Sequence, residues 1–513
     1  MSRSERLLLG ATAAVALVLR VLALLRYRFD SDEQQHLHVA WGWTVGKIQY
    51  RDVFDNHAPL FHMITAPILA LFGERSDILF WMRLPMLALF AIVLWATWDI
   101  AKRLYDARVA AWAVVLLALF PPFFLKSLEY RTDNLWNAFW MLAVLGIVRG
   151  WRPFAIGFLL GCALAVSLKT PLLLISLGAA FGMWRGLQPA EERRRAEARP
   201  TFEGIAGFAI VPAALSLYFI SAGVWDELVY CNFTFNSNLA KAQDNAWLLR
   251  SLAILGAAGV VYMARKSDAP RLRWLLAVTC GAFTVTLAGV WLLISPRDFL
   301  PIFPLLAIFA AAAMPHVREL VIAIAVLLVA LFYYADRFEK NTDWHYTMMD
   351  QALRLTRPGE PLMDHKGETI YRHRPFYYAF ELITRTQMAK GLIPDTVAAD
   401  VVRSRTYVVQ ADGPPWPPAS RAWLSAHFVN LGRLRAAGQW VKGGTFTIGV
   451  PGEYVVLDAN GEARGTLDGT PYTGARVLAA GPHRWVGKEE VCVLWAPAWR
   501  RGHSPFHLRD LDF

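Results

Sequence analysis

From residue 7 to about residue 334 the chain alternates long uncharged apolar stretches with short polar breaks, and after Ala335 it becomes mixed. A helix needs about 20 residues to cross a hydrocarbon core of about 30 Å. The apolar stretches predict spans at 7–25, 79–100, 109–125, 135–148, 154–168, 172–184, 205–220, 247–264, 274–294, 299–314 and 320–334. A further apolar run, 59–72, is shorter and carries His62 and Pro67, so it predicts an in-plane or re-entrant helix. Beyond Asp336 the periodicity predicts helices at 377–389 and 419–427 and a strand at 406–410. After Gly443, strands are expected at 445–448, 452–457, 476–478 and 491–495, with hairpin turns at Asp458-Ala459-Asn460-Gly461 and Leu467-Asp468-Gly469. The expected architecture is a polytopic α-helical membrane protein of about 11 spans with a soluble C-terminal domain. It divides as a transmembrane domain 1–335, an α/β portion 336–440 and a β-rich, sandwich-like module 441–513.

Loop charge gives an orientation, because Lys and Arg concentrate in loops that stay cytoplasmic. From a cytoplasmic start at Arg3 and Arg6, every second loop is basic: Lys102, Arg103 and Arg108; Arg149 and Arg152; Arg185 with Arg193, Arg194, Arg195 and Arg199; Arg265, Lys266, Arg271 and Arg273; Arg318. The intervening loops carry Asp30, Asp32, Glu33, Asp52 and Asp55, then Glu129 and Asp133, then Asp226 and Glu227. The first also holds Arg26, Arg28, Lys47, Arg51 and Arg75, so the alternation rests on the later ones. This parity puts the C-terminal domain on the non-cytoplasmic side. The first apolar run is a span and not a signal peptide, because Arg20 interrupts it and no small-residue cleavage site follows. Trp41, Trp43, Tyr333 and Tyr334 are interfacial anchors on this reading.

Composition agrees: 56% of the 513 residues are hydrophobic, against about 45–50% in ordinary globular domains. The net charge of +11 reports topology, since no basic cluster is interleaved with stacking aromatics as a nucleic-acid surface requires. Cys162 and Cys280 lie in apolar runs, Cys231 and Cys492 in polar ones where an oxidising compartment would let them pair, and no metal-ligand cysteine spacing exists. His365, His373 and His483 lack ligand spacing and read as surface or packed histidines; Asn232-Phe233-Thr234 is a sequon of the kind that arises by chance.

The candidate chemistry lies in the outer loops. A carboxylate there can deprotonate an acceptor hydroxyl or hold a divalent ion against a phosphate leaving group. Asp32 and Glu33 would occupy the first turn of a helix capped by Ser31, and helix capping is the competing explanation for Asp32. Asp133 stands directly before a span, where catalysis competes with a salt bridge to Arg131 or another cation. Lys169, in Ser167-Leu168-Lys169-Thr170-Pro171, emerges between two apolar runs and calls for an anion, whether a lipid-linked phosphate or a phospholipid headgroup. Arg297 emerges on the same side, with pairing to its neighbour Asp298 as the alternative. Asp55 and His57 could furnish ligands to a divalent ion, a possible rather than an established cofactor.

These motifs resemble the GT-C superfamily of polyprenyl-phosphate-sugar-dependent glycosyltransferases, near the lipid A aminoarabinose transferases, protein O-mannosyltransferases and lipopolysaccharide-core galacturonosyltransferases. The likeness is carried by Asp32-Glu33, Gly46, Tyr50-Arg51-Asp52 and Asp55-Asn56-His57-Ala58-Pro59-Leu60 in the first loop, with Ala58 where many members have Pro. Arg131-Thr132-Asp133, Leu168-Lys169-Thr170 and Pro296-Arg297-Asp298-Phe299-Leu300-Pro301 complete it, with Phe299 in place of the usual Tyr. The resemblance implies a GT-C-like membrane glycosyltransferase of the cell envelope. Asp32 and Asp133 would be its catalytic carboxylates, Lys169 and Arg297 its donor-phosphate ligands, and Glu33, Asp55, His57 and Arg131 supporting residues. The partners would be a polyprenyl-phosphate-linked sugar and a glycolipid, glycan or protein acceptor, at the periplasmic face of the inner membrane. A secondary transporter is the main rival and would place broken helices and charges at the midplane; a non-catalytic scaffold leaves the acidic loop unexplained.

Overall fold

The computed structural model describes residues 1–186, 199–237, 271–291, 293–410, 416–441, 444–488 and 490–506. The chain forms two compact units. One comprises Met1–His36, Asp55–Ile68 and Leu79–Thr342; the other comprises Leu37–Phe54, Leu69–Ile78 and Asp343–Phe513.

The first unit is helical: α1 (Arg3–Arg26), the start of α2 (Ser31–Thr44), most of α3 (Leu60–Phe72), α4 (Ile78–Leu104), α5 (Ala107–Leu119), α6 (Pro121–Lys126), α7 (Thr132–Arg149), α8 (Pro153–Val166) and α9 (Thr170–Gly186), then helices Arg199–Ser221, Arg271–Val290, Phe303–Ala313 and Val317–Tyr334. Ten of the expected spans coincide with helices; the eleventh, 247–264, lies outside the described residues, as do Arg193, Arg194, Arg195, Arg265 and Lys266. Among the described residues, five helices are long and apolar enough to cross a membrane: Arg3–Arg26, Ile78–Leu104, Phe202–Ser221, Leu272–Val290 and Val317–Tyr334. The chain is thus built for a bilayer. α3 has 13 residues, about 20 Å of helix, short of a crossing.

Contacts inside this unit define two opposite ends. At one, Glu5 accepts hydrogen bonds from Arg108 (2.6 Å) and Trp112 (2.9 Å), Arg108 donates to the carbonyl of Pro315 (2.9 Å), Arg149 meets Asp99 (2.7 Å), and Arg273 donates to the carbonyl of Leu104 (2.6 Å). At the other, Arg20 donates to the carbonyl of Ser127 (3.0 Å) and the Asn341 amide to the carbonyl of Arg26 (3.0 Å). α8 and the Arg199–Ser221 helix run parallel: Gly157 lies against the carbonyl of Gly204, and Gly161 against that of Phe208 four residues further along both helices. That is the relation the loop charges require of the fifth and seventh spans.

The second unit holds two antiparallel sheets. The larger runs β1-β3-β11-β5-β6, with β2 (Phe428–Asn430) also on β3 and β9 (Arg476–Leu478) also on β5. Its other strands are β1 (Val408–Gln410), β3 (Leu434–Trp440), β5 (Gly452–Asp458), β6 (Gly461–Glu462) and β11 (Cys492–Trp495). The smaller runs β4-β10-β7-β8, from β4 (Thr445–Ile448), β10 (Gly481–Gly487), β7 (Gly465–Leu467) and β8 (Thr470–Pro471). Both expected hairpin turns are present, β5 to β6 and β7 to β8. The helix expected at 377–389 begins only at Leu382, because Tyr377 and Tyr378 instead pack their rings on Phe54 at 5.4 and 5.3 Å. All four cysteines are buried and none is in a disulfide.

Candidate active site

Asp30, not Ser31, caps α2. Its carboxylate accepts the Asp32 amide at 3.1 Å, while Glu33 returns a bond to the Asp30 amide at 2.9 Å, the reciprocal capping-box arrangement. Asp32 is therefore relieved of the capping role that competed with catalysis, and its carboxylate contacts Arg131. Glu33 is buried with both oxygens engaged: Arg83 grips it from two nitrogens at 2.6 and 2.8 Å, and the Tyr130 amide donates at 2.9 Å. Arg83 also bonds the carbonyls of Tyr27 (3.0 Å) and Arg28 (2.8 Å), locking the first loop to α4.

The four principal residues named from the sequence meet in one ionic network. Arg131, nearly buried, touches Asp32 and lies 3.4 Å from both Asp30 and Asp133. Lys169 sits between Asp133 (2.9 Å) and Asp298 (2.5 Å), with its ammonium over the rings of Trp136 and Trp291 at 5.4 and 5.7 Å. Arg297 contacts Asp30 and reaches Glu129 (3.2 Å) and Asp32 (3.5 Å), while Lys126 pairs with Glu129 at 2.6 Å. Arg297 does not pair with Asp298, because Asp298 caps the turn at Pro296–Phe299 and turns to Lys169. Asp133 does form the salt bridge that competed with a catalytic reading, to Lys169 as well as Arg131.

Burial is the largest influence on the Asp30 carboxyl and raises its pKa, as does the Asp32 charge; Arg131, Arg297 and the Asp32 amide outweigh both and hold it below the usual range. For Glu129, burial wins over Arg297 and Lys126 and the pKa is raised. Asp32 is the most open carboxylate of the network, its side chain 27% exposed against 15% for Asp30 and 6% for Asp133. The arrangement can hold an anionic group on Arg297 and Lys169 and present a carboxylate to a hydroxyl.

Sequence reasoning did not assign Asp30, Glu129, Asp298, Lys126 or Arg83 to the site. Arg83 carried a signal, being an arginine inside an apolar run. The others differ from ordinary loop charges only in where the fold puts them.

The pair named for a metal, Asp55 and His57, is hydrogen-bonded at 2.8 Å; among the described residues, three side chains with ligand atoms within 4.8 Å of one another are His36, Asp55 and His62. Asn232 is buried, its amide donating to the Leu228 carbonyl at 3.0 Å, so its sequon is no accessible acceptor. His365 is buried and stacks on Trp416 at 4.0 Å, while His373 meets Lys47 at 3.1 Å and His483 meets Asp468 at 2.7 Å nearer the surface, in line with surface or packed roles.

Residues 56–220 match the family model described as dolichyl-phosphate-mannose-protein mannosyltransferase. No curated protein sequence matches the chain. Among solved structures it is similar to ArnT from Cupriavidus metallidurans in the apo state, at 14% identity and a TM-score of 0.61, over 83% of this chain and 97% of that one. The same protein bound to undecaprenyl phosphate aligns at 14% identity with a TM-score of 0.59, over the same shares of the two chains. The chain therefore shares the fold of ArnT, the GT-C fold that its loop motifs resemble.

Proposed function

We propose that the chain moves a sugar from a polyprenyl-phosphate carrier to an envelope glycolipid, glycan or protein on the non-cytoplasmic face of the inner membrane, inverting the anomeric carbon. The observation that carries this reading is the network in which Asp32, Asp133, Lys169 and Arg297 are joined at one end of the bundle. The ArnT structure with undecaprenyl phosphate supports a lipid-phosphate donor on this fold.

In the proposed step the acceptor oxygen forms a bond to the anomeric carbon as the bond from that carbon to the phosphate oxygen breaks. The acceptor proton passes to Asp32, and the electron pair leaves on the polyprenyl phosphate. The developing charge needs cations already in place. Lys169 is enclosed by Asp133 and Asp298, whereas Arg297 is shared among Asp30, Asp32 and Glu129. Arg297 can thus turn from Asp32 toward the phosphate while keeping Glu129, and that turn leaves Asp32 more basic at the moment it must accept a proton. Lys169 joins it at the phosphate and holds Asp133 against Arg131, the positioning link.

Membranes containing Asp32→Asn, Lys169→Ala or Arg297→Ala, supplied with a panel of polyprenyl-phosphate sugars, test this. Loss of the general base should lower transfer by about 10²-fold or more. Wild-type rates from Asp32→Asn and Lys169→Ala would overturn the assignment. Envelope glycans and glycolipids compared with and without the protein would identify the sugar and acceptor together.

A further inference from the structure

We propose that His36, Asp55 and His62 form a site for a borderline divalent cation of the Zn²⁺ class, tying the first turns of α2 to the loop before α3 and to α3 itself. The inference goes beyond the glycosyl-transfer reading and does not depend on it.

One ligand atom from each of the three residues lies within 4.8 Å of the other two, and all three side chains are buried. His36 Nδ1 is 3.0 Å from His62 Nε2, and His62 Nδ1 is 3.4 Å from Asp55 Oδ2. Two nitrogens on one tetrahedral zinc sit about 3.3 Å apart, given Zn–N bonds of about 2.0–2.1 Å. The two short contacts use different nitrogens of His62, so whichever one ligates, the rings must shift to bring the three donor atoms, now within 4.8 Å of one another, to that spacing. Within the described residues His36 Nε2 is buried and meets no hydrogen-bond partner, a state that ordinary packing leaves costly.

The surroundings are those of a metal site. Asp55 Oδ1 accepts a hydrogen bond from His57 at 2.8 Å, the outer contact that orients a ligating carboxylate, and the His57 ring stands 4.7 Å from that of His36. Two imidazoles and one carboxylate favour Zn²⁺ or Co²⁺ over Mg²⁺ or Ca²⁺, which prefer all-oxygen shells. His36 lies one helical turn beyond Asp32, so an ion here would fix the turn that carries the proposed base.

Untagged full-length protein in detergent, stripped with a chelator and titrated with Zn²⁺ or Co²⁺, provides the test. One equivalent of Zn²⁺ should survive gel filtration, Co²⁺ should give visible d–d bands of an imidazole-bound ion, and Mg²⁺ should not compete. His36→Gln and His62→Gln should weaken binding at least tenfold, whereas Asp99→Asn, at the opposite end of the bundle, should bind like wild type. Zn²⁺ should raise the melting temperature of wild type and Asp99→Asn but not of His36→Gln. Absence of the Co²⁺ bands in wild type, a reading that needs no variant to fold, overturns the proposal, as does wild-type Zn²⁺ affinity in both histidine variants.

Discussion

Asp32 and Glu33 are adjacent in the chain and have separable duties. Glu33 neutralises Arg83 in a dry environment, both side chains being fully buried. Removing one member of such a pair costs about 3–5 kcal/mol, because the other charge stays buried alone. Glu33→Ala should therefore lower the melting temperature in detergent markedly, whereas Asp32→Asn, at a more open position, should melt near wild type while losing transfer. A variant pair in which Asp32→Asn is the unstable one would contradict these roles. Glu368 offers a second test. Burial, with the Asp364 charge behind it, pushes its carboxyl up to about 7, from the ordinary glutamate value of 4.5. Between those values the folded protein keeps a proton that the unfolded chain releases, so stability falls as pH rises through the window. The difference amounts to about 3 kcal/mol at 1.36 kcal/mol per unit. His38, buried and held at about 4, acts in the opposite sense as pH rises toward 6.5. Melts of wild type and Glu368→Gln between pH 5 and 8 isolate the glutamate: the variant should gain on wild type as pH increases, and parallel curves would refute it. What the sequence disclosed at this level was the set of ionisable residues flanking apolar runs, Asp32, Asp133, Lys169 and Arg297. Their partners were hidden because Asp30, Glu129 and Asp298 reach them from segments as much as 267 positions away.

The helices were legible because bilayer-length apolar runs leave the backbone few alternatives. Breaks within them came from local chemistry: the run at 109–125 splits where Pro121 and Pro122 open α6. The run at 299–314 divides into the short turn at Pro296–Phe299 and a helix with Pro304 in its first turn. Among the strands that the sequence did not disclose, two are instructive. β3, Leu434–Trp440, has the sequence LRAAGQW, poor in β-branched residues, and owes its conformation to pairing with β1, β2 and β11. β10 is bounded by Gly481 and Gly487, which read as turn residues in isolation. The close approach of α8 to the Arg199–Ser221 helix depends on missing side chains. A Cβ on Gly161 would lie 2.3 Å from the Phe208 carbonyl oxygen, backbone that cannot step aside, whereas one on Gly178 in α9 meets nothing within 4 Å. Gly161→Leu should abolish recovery of monodisperse protein in detergent and Gly178→Leu should not. Equal yields would show that the two helices do not pack this closely.

The alternation of basic and acidic loops and the two ends of the bundle are independent observations that agree. Loop composition assigns Arg3, Arg103, Arg108, Arg149, Arg273 and Arg318 to one side, and side-chain contacts gather Glu5, Asp99, Leu104, Arg108, Arg149, Arg273 and Pro315 at one end. The ionic network lies at the other end, with Asn341 bonded to Arg26 beside it. The last helix of this unit, Val317–Tyr334, has 18 residues and connects the two ends. Its length is about 27 Å, so Arg318 and Glu339, both exposed, should face opposite aqueous phases. All four native cysteines are buried, which keeps the background low for thiol chemistry. In sealed right-side-out membranes an impermeant maleimide should therefore label Glu339→Cys directly and Arg318→Cys only after permeabilisation. Neither residue belongs to the site, so both variants should keep whatever transfer activity the wild type shows. Labelling of both from the same phase would mean that this helix does not cross. Labelling in the reverse sense would place Asp32 and Arg297 on the cytoplasmic face, where a carrier-linked sugar would have to be used before its translocation.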